Sequence, residues 1–149
     1  MKKLLFVALL GIFCSAPVFA AGGLDGFLNN LNIQARADLP GFSAKVSAQF
    51  GVPEVQVRAV LGTVRQPADA FMVFQLGQMS RQPTDRVVQV YETQKGKGWG
   101  VIAKQLGIKP GSREFHALKR GDLHFGPTSD RGGDGPGEHP GKGKGRGKH

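Results

Sequence analysis

Breaks set the limits on this chain. Leu39-Pro40-Gly41, Gly51-Val52-Pro53, Arg65-Gln66-Pro67, Arg81-Gln82-Pro83-Thr84, Lys95-Gly96-Lys97-Gly98 and the Gly107 to Gly111 stretch follow one another every twelve to sixteen residues. Proline has no N–H to donate within a helix, and the residue before it resists the helical region. Nothing between these marks can be longer than a short helix. No stretch shows apolar–polar alternation with hairpin turn chemistry. The expected fold is all-α: a compact bundle of about six or seven short helices.

Each segment carries its own apolar stripe. Leu24, Phe27, Leu28 and Leu31 define the first, running to Ala37, although Asn29, Asn30 and Asn32 weaken it. Phe42, Val46 and Phe50 define the second, with Ser43 as its expected cap. Val57, Val60, Leu61 and Val64 follow a start at Pro53, a residue suited to the first helical position. From Ala68 to Met79 apolar residues cover most of the circumference, which predicts the most buried helix. Its Met and Phe residues are expected core or, alternatively, a ligand groove. Val87, Val90 and Tyr91 stripe a helix ending near Gln94, capped by Thr84 or Asp85. Trp99, Ile102 and Leu106 stripe a two-turn helix stopped by Gly107, with Ile108 folding back on Ala103. Ser112 is placed to cap a last helix that turns Phe115 and Leu118 inward, with Glu114 in its first turn.

Both ends differ from this middle. Lys2 and Lys3, the apolar run Leu4 to Phe13, and the small residues around Val18 and Ala20 have the layout of a secretory signal cleaved near Ala20. The expected location is periplasmic or secreted. Cys14, the one cysteine, lies inside that signal, so the mature chain is expected to carry no disulfide or thiolate site. From Gly126 to His149 the chain holds glycine, proline, charge and histidine, with no aliphatic residue. Such a composition cannot offset the entropy of ordering, and a disordered tail is expected. The domains are therefore read as a signal at 1–20, a helical domain at 21–125 and a tail at 126–149, with Asp122 and His124 at a frayed domain edge.

The net charge of +9 is unevenly spread. From Ala21 to Gln94 six basic and six acidic residues cancel, whereas Lys95 to His149 holds twelve basic and five acidic. Asymmetry of this kind favours an anionic partner: lipid head groups, polysaccharide or nucleic acid. The candidate binding residues are Lys95, Lys97, Trp99, Lys104, Lys109, Arg113, Lys119 and Arg120, with Lys142, Lys144, Arg146 and Lys148 in the tail. For Trp99 the competing reading is plain core.

Two segments echo each other: VSAQFGVPEVQVRAVL (Val46 to Leu61) and IAKQLGIKPGSREFHAL (Ile102 to Leu118). Both read as helix, glycine, aliphatic residue, proline-containing turn, helix. Both resemble the helix-turn-helix of DNA-binding proteins. Ser47, Gly51, Val57 and Val60 fit its small and apolar positions, as do Ala103 and Gly107. In the second segment Arg113 and His116 occupy the later apolar positions, and Phe115 and Leu118 serve only if the turn is longer. The run GKGWGVIAKQLGIKPGSREFHALKRG, about a fifth of the chain, is similar to a stretch of small secreted bacterial proteins of unknown function. Those proteins share the pattern G-x-G-W-G-x-I-A-x-x-L-G-I-K-P-G-S-x-E-F-H. The resemblance implies a bacterial envelope or secreted protein and transfers no catalytic residue.

No catalytic constellation is expected. HExxH, an EF-hand loop and a phosphate-cradling glycine motif are all missing from the sequence. Ser112, His116 and Asp122 can be written as a triad, but Ser112 already serves as a cap one turn before His116. Asp134, Glu138, His139 and His149 in the tail offer metal ligands without a preset geometry. The sequence thus points to a non-enzymatic binding protein without cofactor. The alternatives are an accessory protein acting through protein contacts on its Met and Phe surface, and a helix-turn-helix-like nucleic-acid binder.

Overall fold

The computed structural model describes residues 22–126. The signal, Cys14 and the tail from residue 127 onward lie outside the described residues. Within them the chain forms seven α-helices and no strand: α1 (Leu24–Ala37), α2 (Leu39–Phe50), α3 (Glu54–Leu61), α4 (Pro67–Ser80), α5 (Thr84–Gln94), α6 (Trp99–Gln105) and α7 (Arg113–Arg120). Among the described residues no helix is long and apolar enough to cross a membrane.

The helix expected to be central is central. α4 packs against α1, α2, α3 and α5, and Ala68, Ala70, Phe71, Met72, Val73 and Leu76 are fully buried along it. Burial on all sides follows from its all-round apolar sequence. Phe71 is the hub of an aromatic cluster, with ring centroids 5.4 Å from Phe27, 5.5 Å from Phe50 and 5.8 Å from Phe125. Phe71, Met72 and Phe74 are therefore core, and of the expected Met and Phe surface on this helix only Met79 remains partly open. Among the described residues the large apolar side chains that are exposed are Ile33, Leu39 and Val55.

Two helix starts differ from expectation. α2 begins at Leu39, three residues early, because the Asp38 carboxylate accepts from the Gly41 N–H at 2.8 Å and Pro40 sits in the first turn, where no N–H is needed. Ser43 is buried inside the helix and does not cap it. α5 starts behind Pro83 without a side-chain cap; the Thr84 hydroxyl instead accepts from the Gln56 amide at 3.3 Å. Asn32, which counted against α1 in the sequence, joins two helices. Its side-chain oxygen accepts the buried Ala68 N–H at 2.9 Å and its amide donates to the Gln66 side chain. It thereby satisfies an otherwise unpaired donor at the start of α4.

Four helices stop in one way. The residue after the last turn enters the left-handed region, and the next N–H returns to the carbonyl five residues back. These bonds are Val52 to Ser47 (3.2 Å), Gln82 to Gly77 (3.0 Å), Ile108 to Ala103 (3.0 Å) and Asp122 to Ala117 (2.9 Å). The predicted fold-back of Ile108 is among them. At Gly121 the absence of a side chain is required twice over. Its φ is +70°, and a Cβ there would lie 2.5 Å from the Gly23 carbonyl oxygen. This contact brings the end of α7 onto the start of α1, so the last helix closes against the first.

The domain does not fray at Asp122. The chain returns across α2 as a strap. Phe125 stacks on Phe42 at 5.2 Å, and the Lys45 ammonium lies 5.8 Å from its ring centre. The Gln49 side chain grips both sides of the strap, donating to the His124 carbonyl at 2.8 Å and accepting from the Gly126 N–H at 2.9 Å. Gly126, read from composition as tail, is buried.

Candidate anion-binding face

The Lys95 to Gly98 lead-in and α6 position the basic residues. Gly96 and Gly98 hold φ of +92° and +87°, so the lead-in zigzags, delivering Lys95 and Lys97 to opposite sides of α6. The helix sorts its own residues likewise. Gly100, Val101 and Lys104 face one hollow, while Trp99 and Ile102 face another.

On the first side Lys97, Lys104 and Lys119 line an open cleft of about 430 Å³. Its apolar lining comes from Leu24, Val101, Phe115 and Leu118, and Asp25 is the one carboxylate. α1, α6 and α7 all contribute, and the Gly23–Gly121 contact brings α1 and α7 together. The ion pairs of the described residues are Arg58–Glu54, Lys95–Glu92 and Arg120–Asp122, so none of these three lysines is neutralised by a carboxylate. Unpaired ammonium groups around one cleft attract anions at a range set by salt.

On the second side Trp99 stacks on Tyr91, with ring centroids 5.5 Å apart and planes 23° apart. The indole is partly buried against the core, yet it lines a hollow of about 250 Å³ shared with Arg65, Asp69, Tyr91 and Lys95. Trp99 is thus partly core, with the rest of its ring open at a hollow. The Tyr91 hydroxyl donates to Asp69 Oδ2 at 2.9 Å and accepts from the Arg65 N–H at 3.2 Å. Burial is the main cause that raises the Tyr91 phenol above its ordinary pKa, and the adjoining Asp69 adds to it.

The remaining predicted residues lie elsewhere. Arg113 and Arg120 line a third hollow with Met79, Glu114 and His116, and Arg120 is bound to Asp122 at 2.7 Å. Lys109 is exposed in the α6–α7 turn and lines none of these hollows. Lys142, Lys144, Arg146 and Lys148 lie outside the described residues, as does the tail metal set. The described basic residues expected on one face are therefore divided among three hollows, with Lys109 outside all of them.

The Ser112, His116, Asp122 triad does not assemble. The Ser112 hydroxyl accepts from the Phe115 N–H at 3.2 Å as a helix cap, and Asp122 faces Arg120. The Glu114 carboxyl is held below its usual range by its own N–H and by the Ser112 hydroxyl. The α6–α7 turn is longer than the α2–α3 turn: Pro53 immediately precedes α3, whereas Pro110 stands two residues before the Ser112 cap. This length turns Phe115 and Leu118 inward and leaves Arg113 and His116 exposed.

Sequence reasoning missed Arg65, Asp69 and Tyr91 as neighbours of Trp99, and the Leu24–Asp25 wall of the lysine cleft. No local spacing could have given them, because both groups form only when distant helices pack. The fold and its surfaces define a seven-helix all-α domain with a basic cleft. The chain matches no known protein family, no curated protein and no solved structure.

Proposed function

We propose that this chain is an exported, non-catalytic binding protein of the bacterial envelope whose basic C-terminal half holds an anionic partner. The observation that carries the reading is the convergence of Lys97, Lys104 and Lys119 around one cleft, where among the described residues none of them is ion-paired and Asp25 is the single carboxylate. An apolar lining beside the ammonium groups suits a polymer with an anionic edge and an apolar face. Lipid head groups, polysaccharide and nucleic acid all offer the charge. The exported setting rests on the layout of the first twenty residues. The test is the chain from Ala21 onward against the K97Q/K104Q/K119Q variant, binding anionic vesicles, polyuronate and single-stranded DNA. Each neutralised contact lowers the slope of log affinity against log salt by about 0.7–0.9 for a nucleic-acid partner. Three contacts predict a slope lower by about 2. Equal binding and equal slopes in the two proteins would overturn the reading.

A second reading, an accessory protein acting through protein contacts, is favoured by the exposure of Ile33, Leu39 and Val55 at 57%, 46% and 66%. Binding to a protein partner that survives high salt would support it over the first.

A further inference from the structure

The Trp99 hollow differs in kind from the lysine cleft. It lies across α6 from that cleft and combines an aromatic wall, a carboxylate and two cations within about 250 Å³. Pockets for drug-sized ligands run from about 300 Å³ upward. This one has room for a single ring-sized unit.

Its hydrogen-bonding capacity is partly spent and partly open. The Tyr91 hydroxyl is used on both sides, by Asp69 and by the Arg65 backbone, so it fixes the floor and contacts nothing further. Asp69 uses Oδ2 for both the Tyr91 hydroxyl and the Gln66 N–H at 3.2 Å. Its Oδ1 receives no hydrogen bond among the described residues. The Trp99 indole N–H likewise has no protein acceptor there, and no buried side-chain polar atom is left unpaired. Both groups are therefore open to solvent, and both residues line the hollow. Arg65 stands exposed at the rim with no carboxylate paired to its side chain among the described residues, while Lys95 is shared with Glu92 at 3.0 Å. The rim glycines, Gly96 and Gly98, hold positive φ, and a Cβ at either would meet only open space.

These open groups specify a ligand. An aromatic wall accepts the flat face of a ring. A carboxylate oxygen accepts from hydroxyl groups and repels phosphate. A free guanidinium takes a carboxylate in bidentate fashion. We propose that the hollow binds one carboxylate-bearing sugar unit, a uronate, with its ring against Trp99, its hydroxyls on Asp69 Oδ1 and its carboxylate on Arg65. The inference deepens the anionic-partner reading by naming an acidic polysaccharide as the partner, and it rests on that reading only for the polymer, not for the single sugar.

Trp99 is the one tryptophan and Tyr91 the one tyrosine of the chain, so intrinsic fluorescence reports on this hollow alone. The experiment titrates the chain from Ala21 onward with sodium glucuronate, following Trp99 emission, with glucose, acetate and adenosine monophosphate as separate arms. A saturable change with a dissociation constant on the order of 1 mM is expected for glucuronate, a size-limited affinity for so small a ligand. Glucose and acetate should each bind at least tenfold more weakly. R65A changes an exposed residue and should fold. It is expected to weaken glucuronate at least tenfold while leaving glucose unchanged. K97Q/K104Q/K119Q should leave the titration intact, which separates failure of this site from failure of the lysine cleft. No saturable response to glucuronate, an equal response to acetate or the nucleotide, or an unaffected R65A would each overturn the assignment.

Discussion

Phe125 decides where this domain ends, and replacing it with alanine tests the strap directly. The ring is partly buried between Phe42 and Phe71, with centroids at 5.2 and 5.8 Å. A phenylalanine side chain can bury about 150–250 Å². Partial burial of about 120 Å² at about 25 cal/mol/Å² comes to about 3 kcal/mol, an upper figure because unfolded chains already bury some surface. The two ring contacts disappear with it, and the cavity opens toward solvent, so a loss of about 2–3 kcal/mol is expected for F125A. The 105 residues from 22 to 126 unfold with an entropy of about 0.22 kcal/mol/K at about 2.1 cal/mol/K per residue. The loss thus becomes a fall in Tm of about 9–14 °C, measured by calorimetry at fixed protein concentration. Q49A, which removes two hydrogen bonds that are partly open to water, should cost about 1–2 kcal/mol. F125A melting within 2 °C of the parent, on the order of the smallest shift worth interpreting, would refute the argument and return the strap to the tail.

Two further substitutions test the backbone and the titratable floor. Arg81 is the one non-glycine residue at positive φ among those described, at +56°, and its side chain makes no ion pair there; R81G should relieve the left-handed strain, net of glycine's unfolded-state entropy, and stabilise by about 0.5–1 kcal/mol, a rise of about 2–5 °C, whereas a lower Tm would contradict it. Tyr91 titrates above its ordinary value of 10.0 when folded, so its contribution is fully present below pH 10, where both folded and unfolded phenols are protonated, and is lost as pH rises through the folded pKa. With one tyrosine in the chain, an ultraviolet phenolate titration should show a midpoint above the model-peptide value and a shift back once urea unfolds the protein; coincident folded and unfolded curves would refute it.

The stripes and the punctuation carried most of the fold because each acts within one or two turns. Phe71, Met72 and Leu76 revealed a central helix, and Gly107 with Ile108 revealed how α6 stops, since the hydrogen bonds involved span five residues. The internal echo was harder to see. The α2–α3 and α4–α5 junctions share one backbone, with Gly51 at φ 64°, ψ 32° and Arg81 at 56°, 34°, each two residues before a proline in extended conformation. A search keyed on glycine pairs α2–α3 with α6–α7 and passes over Arg81, because tertiary packing there overrides the local cost of a side chain. The strap escaped for a related reason. Leu123 and Phe125 are two apolar residues among glycines and charges, and only partners distant in sequence make the segment part of the fold: Phe42 and Phe71 against Phe125, and Gln49, seventy-five residues from His124.

The division of the basic residues follows from the same local rule that made them look continuous. In sequence Lys95, Lys97, Trp99 and Lys104 are neighbours. On α6 and its glycine lead-in, 3.6 residues per turn send Gly100, Val101 and Lys104 to one side, and Trp99 and Ile102 to the other. What each side then becomes depends on what packs there. α1 and α7 bring an apolar wall, Lys119 and one carboxylate to the first side. α4, α5 and the turn before α4 bring Asp69, Tyr91 and Arg65 to the second. The first has charge without fixed hydrogen-bond geometry and suits a sequence-tolerant polyanion. The second has fixed acceptors and a ring face and suits one defined unit. If both proposed sites act as argued, a single short helix separates attraction of a polymer from recognition of a unit within it, and substitutions on its two faces should affect salt dependence and sugar selectivity independently.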